Sequence, residues 1–120
     1  MTAARVVVAE DDDELRALVV RALRADGYAV DTAATGLELA DRLFADEIPD
    51  VVVTDVRMPG VSGLAALRGI RARAWATPVI LVTAFPDAAL IAEAMSLGAV
   101  VLGKPFAIED LRRLVRVAAR

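Results

Sequence analysis

Short β-branched runs alternate with longer stretches of helical period along the whole chain. Five runs are predicted as strands: Arg5–Ala9, Tyr28–Thr32, Val51–Thr54, Val79–Val82 and Ala99–Leu102. Their starts lie 23, 23, 28 and 20 residues apart, and each gap has room for one helix and two short connections. Val6-Val7-Val8, Val51-Val52-Val53 and Val79-Ile80-Leu81-Val82 are continuous rather than alternating. A strand without a polar face is covered on both sides, as in a parallel sheet between helices.

Five apolar stripes with helical spacing fill the gaps. They are Leu15, Leu18, Val19, Ala22 and Leu23; then Leu39, Ala40, Leu43 and Phe44; then Leu64, Leu67 and Ile70. The fourth is Leu90, Ile91, Ala94 and Met95, and the fifth is Leu111, Leu114, Val115 and Ala118. Gly27 stops the first helix, Ser62 is an N-cap candidate for the third, and Gly98 follows the fourth. Five βα units in succession imply right-handed crossovers and an α/β, doubly wound parallel sheet. The expected strand order is 2-1-3-4-5, with residues 1–120 forming one domain. Ligands of such sheets lie beyond the carboxyl ends of the strands, where the order reverses. That places the site just after Ala9 and just after Thr54.

Composition narrows the chemistry. The 120 residues contain no His, Cys, Asn or Gln, two Ser, six Thr, one Tyr and one Trp. Imidazole catalysis, thiol chemistry, Cys/His zinc sites and disulfides are excluded. Thirteen of the fourteen basic residues are Arg, and the fourteenth is Lys104. A net charge of −3 argues against a dedicated nucleic-acid binder. No apolar run approaches the ~18–20 residues that span a bilayer, and no signal segment stands at the N-terminus. A soluble cytoplasmic domain is expected.

The strand ends carry what chemistry remains. Glu10-Asp11-Asp12-Asp13-Glu14 follows the first strand, Asp55 the third, Thr83 the fourth and Lys104-Pro105 the fifth. Carboxylates from adjacent strand ends repel unless a cation sits among them or one is protonated. A shallow site of one or two carboxylates suits Mg²⁺. Acids in a first helical turn also complement the helix dipole. Asp12, Asp13 and Glu14 are therefore assigned to the helix start, and Glu10 and Asp11 to the metal. Asp55 ends an apolar strand, where an unpartnered carboxylate is costly. A carboxylate beside a divalent metal can act as a nucleophile toward phosphorus. Thr83 offers the phosphoryl group a hydroxyl, and Lys104 a compact cation whose backbone is restrained by Pro105.

These residues fall in four segments: VVVAED at 6–11, PDVVVTDVRMPGVSG at 49–63, PVILVTA at 78–84 and GKPF at 103–106. Through them the chain resembles the receiver domains of bacterial two-component response regulators, of the chemotaxis-regulator type, over essentially its whole length. The resemblance implies a flavodoxin-like fold, with Asp55 as phosphoacceptor. It implies a Mg²⁺ pocket of Glu10, Asp11 and Asp55, completed by the backbone carbonyl of Arg57. Thr83 and Lys104 are implied to hold the phosphoryl group. The implied donor is a phosphohistidine on a sensor histidine kinase or phosphotransfer protein, and the implied target is a downstream protein. The Lys104–Pro105 bond is often cis in such relatives.

One position departs from the family. Relatives usually carry Tyr or Phe three residues before the Lys, and Val101 stands there. The expectation is signalling without an aromatic ring that swings inward beside Thr83. Phe85 and Phe106 are read as packing residues. Arg57 and Phe85 flank the path of hydrolytic water and are expected to tune phosphate lifetime. The Arg-rich last helix (Arg112, Arg113, Arg116, Arg120) is read as a solvated face, with homodimerisation through helix 4, strand 5 and helix 5 as an option. Two other functions stand as alternatives. One is a degenerate receiver used only as a binding module. The other is an Asp-nucleophile phosphatase, disfavoured because Arg57 occupies the place of its usual second acid.

Overall fold

Successive side chains of a strand point to opposite faces, so an all-apolar strand must be covered twice. The computed structural model, which describes residues 3–44 and 47–120, meets that requirement with a three-layer arrangement. The elements run β1 (Arg5–Ala9), α1 (Asp13–Ala25), β2 (Ala29–Ala33), α2 (Gly36–Phe44), β3 (Val51–Asp55), α3 (Gly63–Ala72), β4 (Val79–Thr83), α4 (Ala88–Ser96), β5 (Val100–Gly103) and α5 (Ile108–Ala118). The five strands are parallel and lie in the order β2-β1-β3-β4-β5. Val6 and Val8 share one core with Val19, Leu23, Leu111 and Val115 of α1 and α5. Val7 and Val52 share the other with Leu39, Leu43, Leu67 and Ile70 of α2 and α3.

The first strand runs Arg5–Ala9 as expected, and the other four differ by one residue from the boundaries read in the sequence. Tyr28 and Ala99 were expected to open β2 and β5. Instead their N–H groups donate to the carbonyls of Leu23 (3.2 Å) and Ala94 (2.9 Å), closing α1 and α4. Gly27 (φ +96°) and Gly98 (φ +69°) make those closures in the left-handed region. At their carboxyl ends β2, β3, β4 and β5 each run one residue further. Asp55 pairs with Val82, and Thr83 with Gly103. The two chemically important residues are thus held in the backbone ladder.

Two helical stripes also shift. Leu18 is 47% exposed, and the sheet-facing residues of α1 are Val19, Val20 and Leu23. In α4, Ile91 and Met95 are exposed, and only Ala94 is buried. That helix packs on the edge strand β5, so one narrow line of it meets the sheet. No helix among the described residues is long and apolar enough to cross a membrane.

Candidate functional site

The carboxyl ends of β1, β3, β4 and β5 deliver the predicted residues to one edge of the sheet. Glu10 directly follows β1. Its N–H donates to the carbonyl of Ala33 (3.0 Å), and its own carbonyl accepts from the Arg16 guanidinium (2.8 Å). Glu10 and Asp55 are buried, at 4% and 7% exposure, while Asp11 is open to solvent. One carboxylate oxygen from each of the three lies within 4.8 Å of the others. Asp12 is the N-cap of α1, accepting from the Leu15 N–H, with Asp13 and Glu14 in the first turn. Asp12, Asp13 and Glu14 thus serve the helix start, while Glu10 and Asp11 lie nearer the strand end beside Asp55.

Lys104 pairs with both buried acids. Its ammonium lies 2.7 Å from Oε1 of Glu10 and 2.9 Å from Oδ2 of Asp55. The backbone of Lys104 is anchored too, since its N–H donates to the Thr83 carbonyl at 2.7 Å. The Lys104–Pro105 peptide is cis. Burial pushes the Glu10 carboxyl above the ordinary carboxylate range, and hydrogen bonds from Lys104 and the Asp12 N–H only partly offset this. Burial also pulls the Lys104 ammonium down. Its hydrogen bonds to Glu10 and Asp55 outweigh that pull and hold it above its usual value. The ammonium is thus the charged partner of both acids at neutral pH.

Asp55 projects from the last position of β3. Its Oδ1 accepts from the Arg57 N–H (3.2 Å), and its backbone carbonyl accepts from the buried Thr54 hydroxyl (2.9 Å). Beyond it the chain turns sharply into α3. The Gly63 N–H donates to the Val56 carbonyl (2.9 Å), and a Cβ on Gly63 would lie 2.2 Å from the Asp55 carbonyl oxygen. Neither Thr54 nor Gly63 was singled out for the site from the sequence. The glycine ending the Met58–Gly63 turn was the one available signal.

Thr83 is 2% exposed, and its hydroxyl oxygen accepts from the Phe85 N–H at 3.1 Å. Phe85 is not a packing residue as expected. Its ring is 61% exposed, with the Arg57 guanidinium 5.0 Å from its centroid. Phe106 does pack, partly buried against the core under α1 and α5. On α5, Arg112 pairs with Asp26 and Glu109, and Arg113 with Asp110, so part of that basic face is neutralised within the chain.

Three clustered carboxylates offer hard oxygen donors, one of them from an open residue that leaves room for waters. This donor set fits Mg²⁺ better than a softer transition metal.

Residues 6–116 match the family described as response regulator receiver domain. The chain is 38% identical to the regulatory protein AtoC of Escherichia coli (strain K12), over 95% of this chain and 25% of AtoC. It is 36% identical to the response regulator MprA of Mycobacterium sp. (strain KMS), over 97% of this chain and 50% of MprA. The chain thus spans between about a quarter and a half of these relatives' lengths. Among solved structures, the chemotaxis response regulator CheY4 of Vibrio cholerae superposes with a TM-score of 0.83 at 31% identity, covering 98% of this chain and 99% of that one. A response regulator receiver protein from Pseudomonas putida gives a TM-score of 0.87 at 30% identity, covering 98% of each chain.

Proposed function

The chain belongs to the response regulator receiver domain family of two-component signalling, and on that premise we propose that Asp55 accepts a phosphoryl group from a phosphohistidine. The carrying observation is the cluster itself. A buried strand-end carboxylate stands beside two more acids, with an ammonium bridging two of the three. Membership of the family implies that the donor is the phosphohistidine of a sensor histidine kinase or phosphotransfer protein, which fits a chain with no imidazole of its own.

A carboxylate oxygen of Asp55 attacks phosphorus in line. The P–N bond breaks, and its electron pair stays on the leaving imidazole. The chain contributes position and charge, since phosphoryl transfer needs little covalent help. The β3 ladder and the Arg57 N–H orient Asp55. Lys104 is close enough to transfer its pairing to the new phosphoryl oxygens, and Thr83 supplies a hydroxyl from the neighbouring strand. Glu10, Asp11 and Asp55, with the Arg57 carbonyl, are the residues that would hold Mg²⁺. Bound there, Mg²⁺ would supply positive charge that offsets the repulsion between carboxylate and phosphoryl group.

Water later hydrolyses the acyl phosphate, so the domain assists its own chemistry and turns over no other substrate. In the cytoplasm, the phosphorylated form would act on a downstream protein. The exposed Ile91, Met95, Val100 and Val117 of α4, β5 and α5 are the surface offered to such a protein or to a second copy.

Intact-mass measurement after incubation with a small acyl phosphate tests the reading. One phosphate adduct is expected with Mg²⁺, and none without it or in Asp55→Asn. Absence of an adduct under all conditions indicates a binding module, and donor turnover far above stoichiometry indicates a phosphatase.

A further inference from the structure

Val101 is partly buried against the core under α2, α3 and α4, and it has no ring to report movement of Thr83. A different aromatic is bonded to Thr83 directly. The Phe85 N–H donates to the Thr83 hydroxyl oxygen, and the Phe85 ring lies under the Arg57 guanidinium. Arg57 in turn donates its own N–H to Oδ1 of Asp55. One stacked pair is therefore suspended by two backbone bonds, from the proposed phosphoacceptor and from the hydroxyl beside it.

From this geometry we infer that the Arg57–Phe85 stack is a latch, closed in the unphosphorylated domain and released when Asp55 is phosphorylated. The inference rests on the reading of Asp55 as phosphoacceptor. Thr83 Oγ1 is engaged by Phe85 and makes no hydrogen bond to Asp55. To serve a phosphoryl group the hydroxyl must turn to another staggered rotamer, leaving the Phe85 N–H without its acceptor. At the same moment Oδ1 of Asp55 changes from a carboxylate oxygen to part of an acyl phosphate, which weakens its bond to Arg57. Both suspensions loosen together.

The release has a path outward. Pro86 restrains the backbone of Phe85, so the residue moves as a unit. The Phe85 carbonyl accepts from the Asp87 N–H at 2.8 Å, and Asp87 caps α4 through the Leu90 N–H, also at 2.8 Å. The helix at the end of this path buries only Ala94 and can shift at little cost. The signal thus leaves through the β4–α4 connection, not through a ring on β5.

Because the latch holds only in the resting form, linkage requires that it oppose activation. Removing it should tighten the binding of a phosphoryl mimic by what an exposed cation–π contact is worth, about two- to fivefold. The probe is beryllofluoride with Mg²⁺, followed by ¹⁹F and ¹⁵N NMR on the full chain. In the unaltered protein the adduct should shift the Phe85 amide and the Arg57 side-chain resonances. Phe85→Leu should raise beryllofluoride affinity two- to fivefold, and Arg57→Lys, whose ammonium keeps part of the cation–π attraction but loses the planar stack, should raise it by less. In a Thr83→Ala background, where the hydroxyl that closes the latch is gone, Phe85→Leu should have no effect. An adduct that forms while Phe85 and Arg57 stay unmoved, or affinities that ignore both substitutions, overturns the latch alone. Failure of any adduct to form overturns the phosphoacceptor reading and the latch with it.

Discussion

The ammonium of Lys104 lies 2.9 Å from Oδ2 of Asp55, and the two residues are 49 positions apart in the chain. Oε1 of Glu10 shares the same ammonium at 2.7 Å. One lysine therefore pairs with two buried acids, one just beyond β1 and one at the end of β3.

Lys104→Met keeps most of the side-chain volume and removes that pairing. Two buried carboxylates are left facing each other, and leaving buried charges unpaired is costly. The ammonium is partly open to water, so the expected loss is about 2 kcal/mol, below the range for a fully buried pair. Urea unfolding at neutral pH in the presence of a chelator measures it. The same variant should bind Mg²⁺ more tightly than the unaltered chain, because no ammonium competes for the carboxylates. Weaker Mg²⁺ binding by Lys104→Met would contradict this account of the site.

Gly63 is required by close approach to the backbone. A methyl group there would meet the Asp55 carbonyl oxygen at 2.2 Å, and that oxygen belongs to the end of β3. Gly63→Ala is expected to destabilise the fold by about 3 kcal/mol. It should also slow adduct formation, since the residue that must yield is Asp55. A variant with unchanged unfolding midpoint and unchanged labelling rate would show that the turn relaxes freely.

Arg71 secures the opposite end of the sheet. Its guanidinium donates to the carbonyls of Leu97 (2.7 Å), Trp75 (2.8 Å) and Thr77 (2.8 Å). Burial pulls its pKa below the usual arginine value, and a guanidinium in a protein keeps its charge. Arg71→Met retains the apolar stem and orphans three acceptors. A loss of about 2 kcal/mol is expected, read as a lower urea midpoint with unchanged slope. Phosphoryl labelling at Asp55 should be unaffected, because the residue lies at the far end of the strands.

Asp26 at the end of α1 is bonded by both nitrogens of an Arg112 fork on α5, at 2.9 and 2.5 Å. That hydrogen bonding holds its carboxyl below the ordinary aspartate value. A group with a depressed native pKa stabilises the fold above its unfolded pKa, about 3.9 for aspartate. The contribution is lost as pH falls through that value and then through the lower native one. Asp26→Asn should therefore lower the thermal midpoint slightly at neutral pH, and the difference from the unaltered chain should vanish at strongly acid pH. A difference that persists unchanged down the titration would assign the effect to packing.

Much of the site was legible because strand ends are local features. Continuous apolar runs mark strands covered on both faces, and the polar residues just beyond each run mark its carboxyl end. Glu10, Asp11, Asp55, Thr83 and Lys104 all lie at such ends, and the structure brings them to one edge of the sheet. The phosphoryl chemistry assigned to them came from the residue types and then from the resemblance. Phe85 departs from its sequence expectation for a related reason. A lone aromatic beside Pro86 looks like packing in one dimension, and nothing local says that Arg57 lies above its ring.

The sequence by itself determined the number of βα units, the parallel sheet and the strand order, because periodicity and right-handed crossovers depend on neighbouring residues and chain chirality. Only the tertiary structure decided the pairings across the sheet. Those include the ammonium of Lys104 between Glu10 and Asp55, the Thr83 hydroxyl turned toward Phe85, and the guanidinium of Arg57 on the Phe85 ring. It also decided that Tyr28 and Ala99 close helices instead of opening strands. Each of these outcomes depends on strand register and on side-chain direction at residues brought together from separate loops. Hydrophobic spacing carries no information about either.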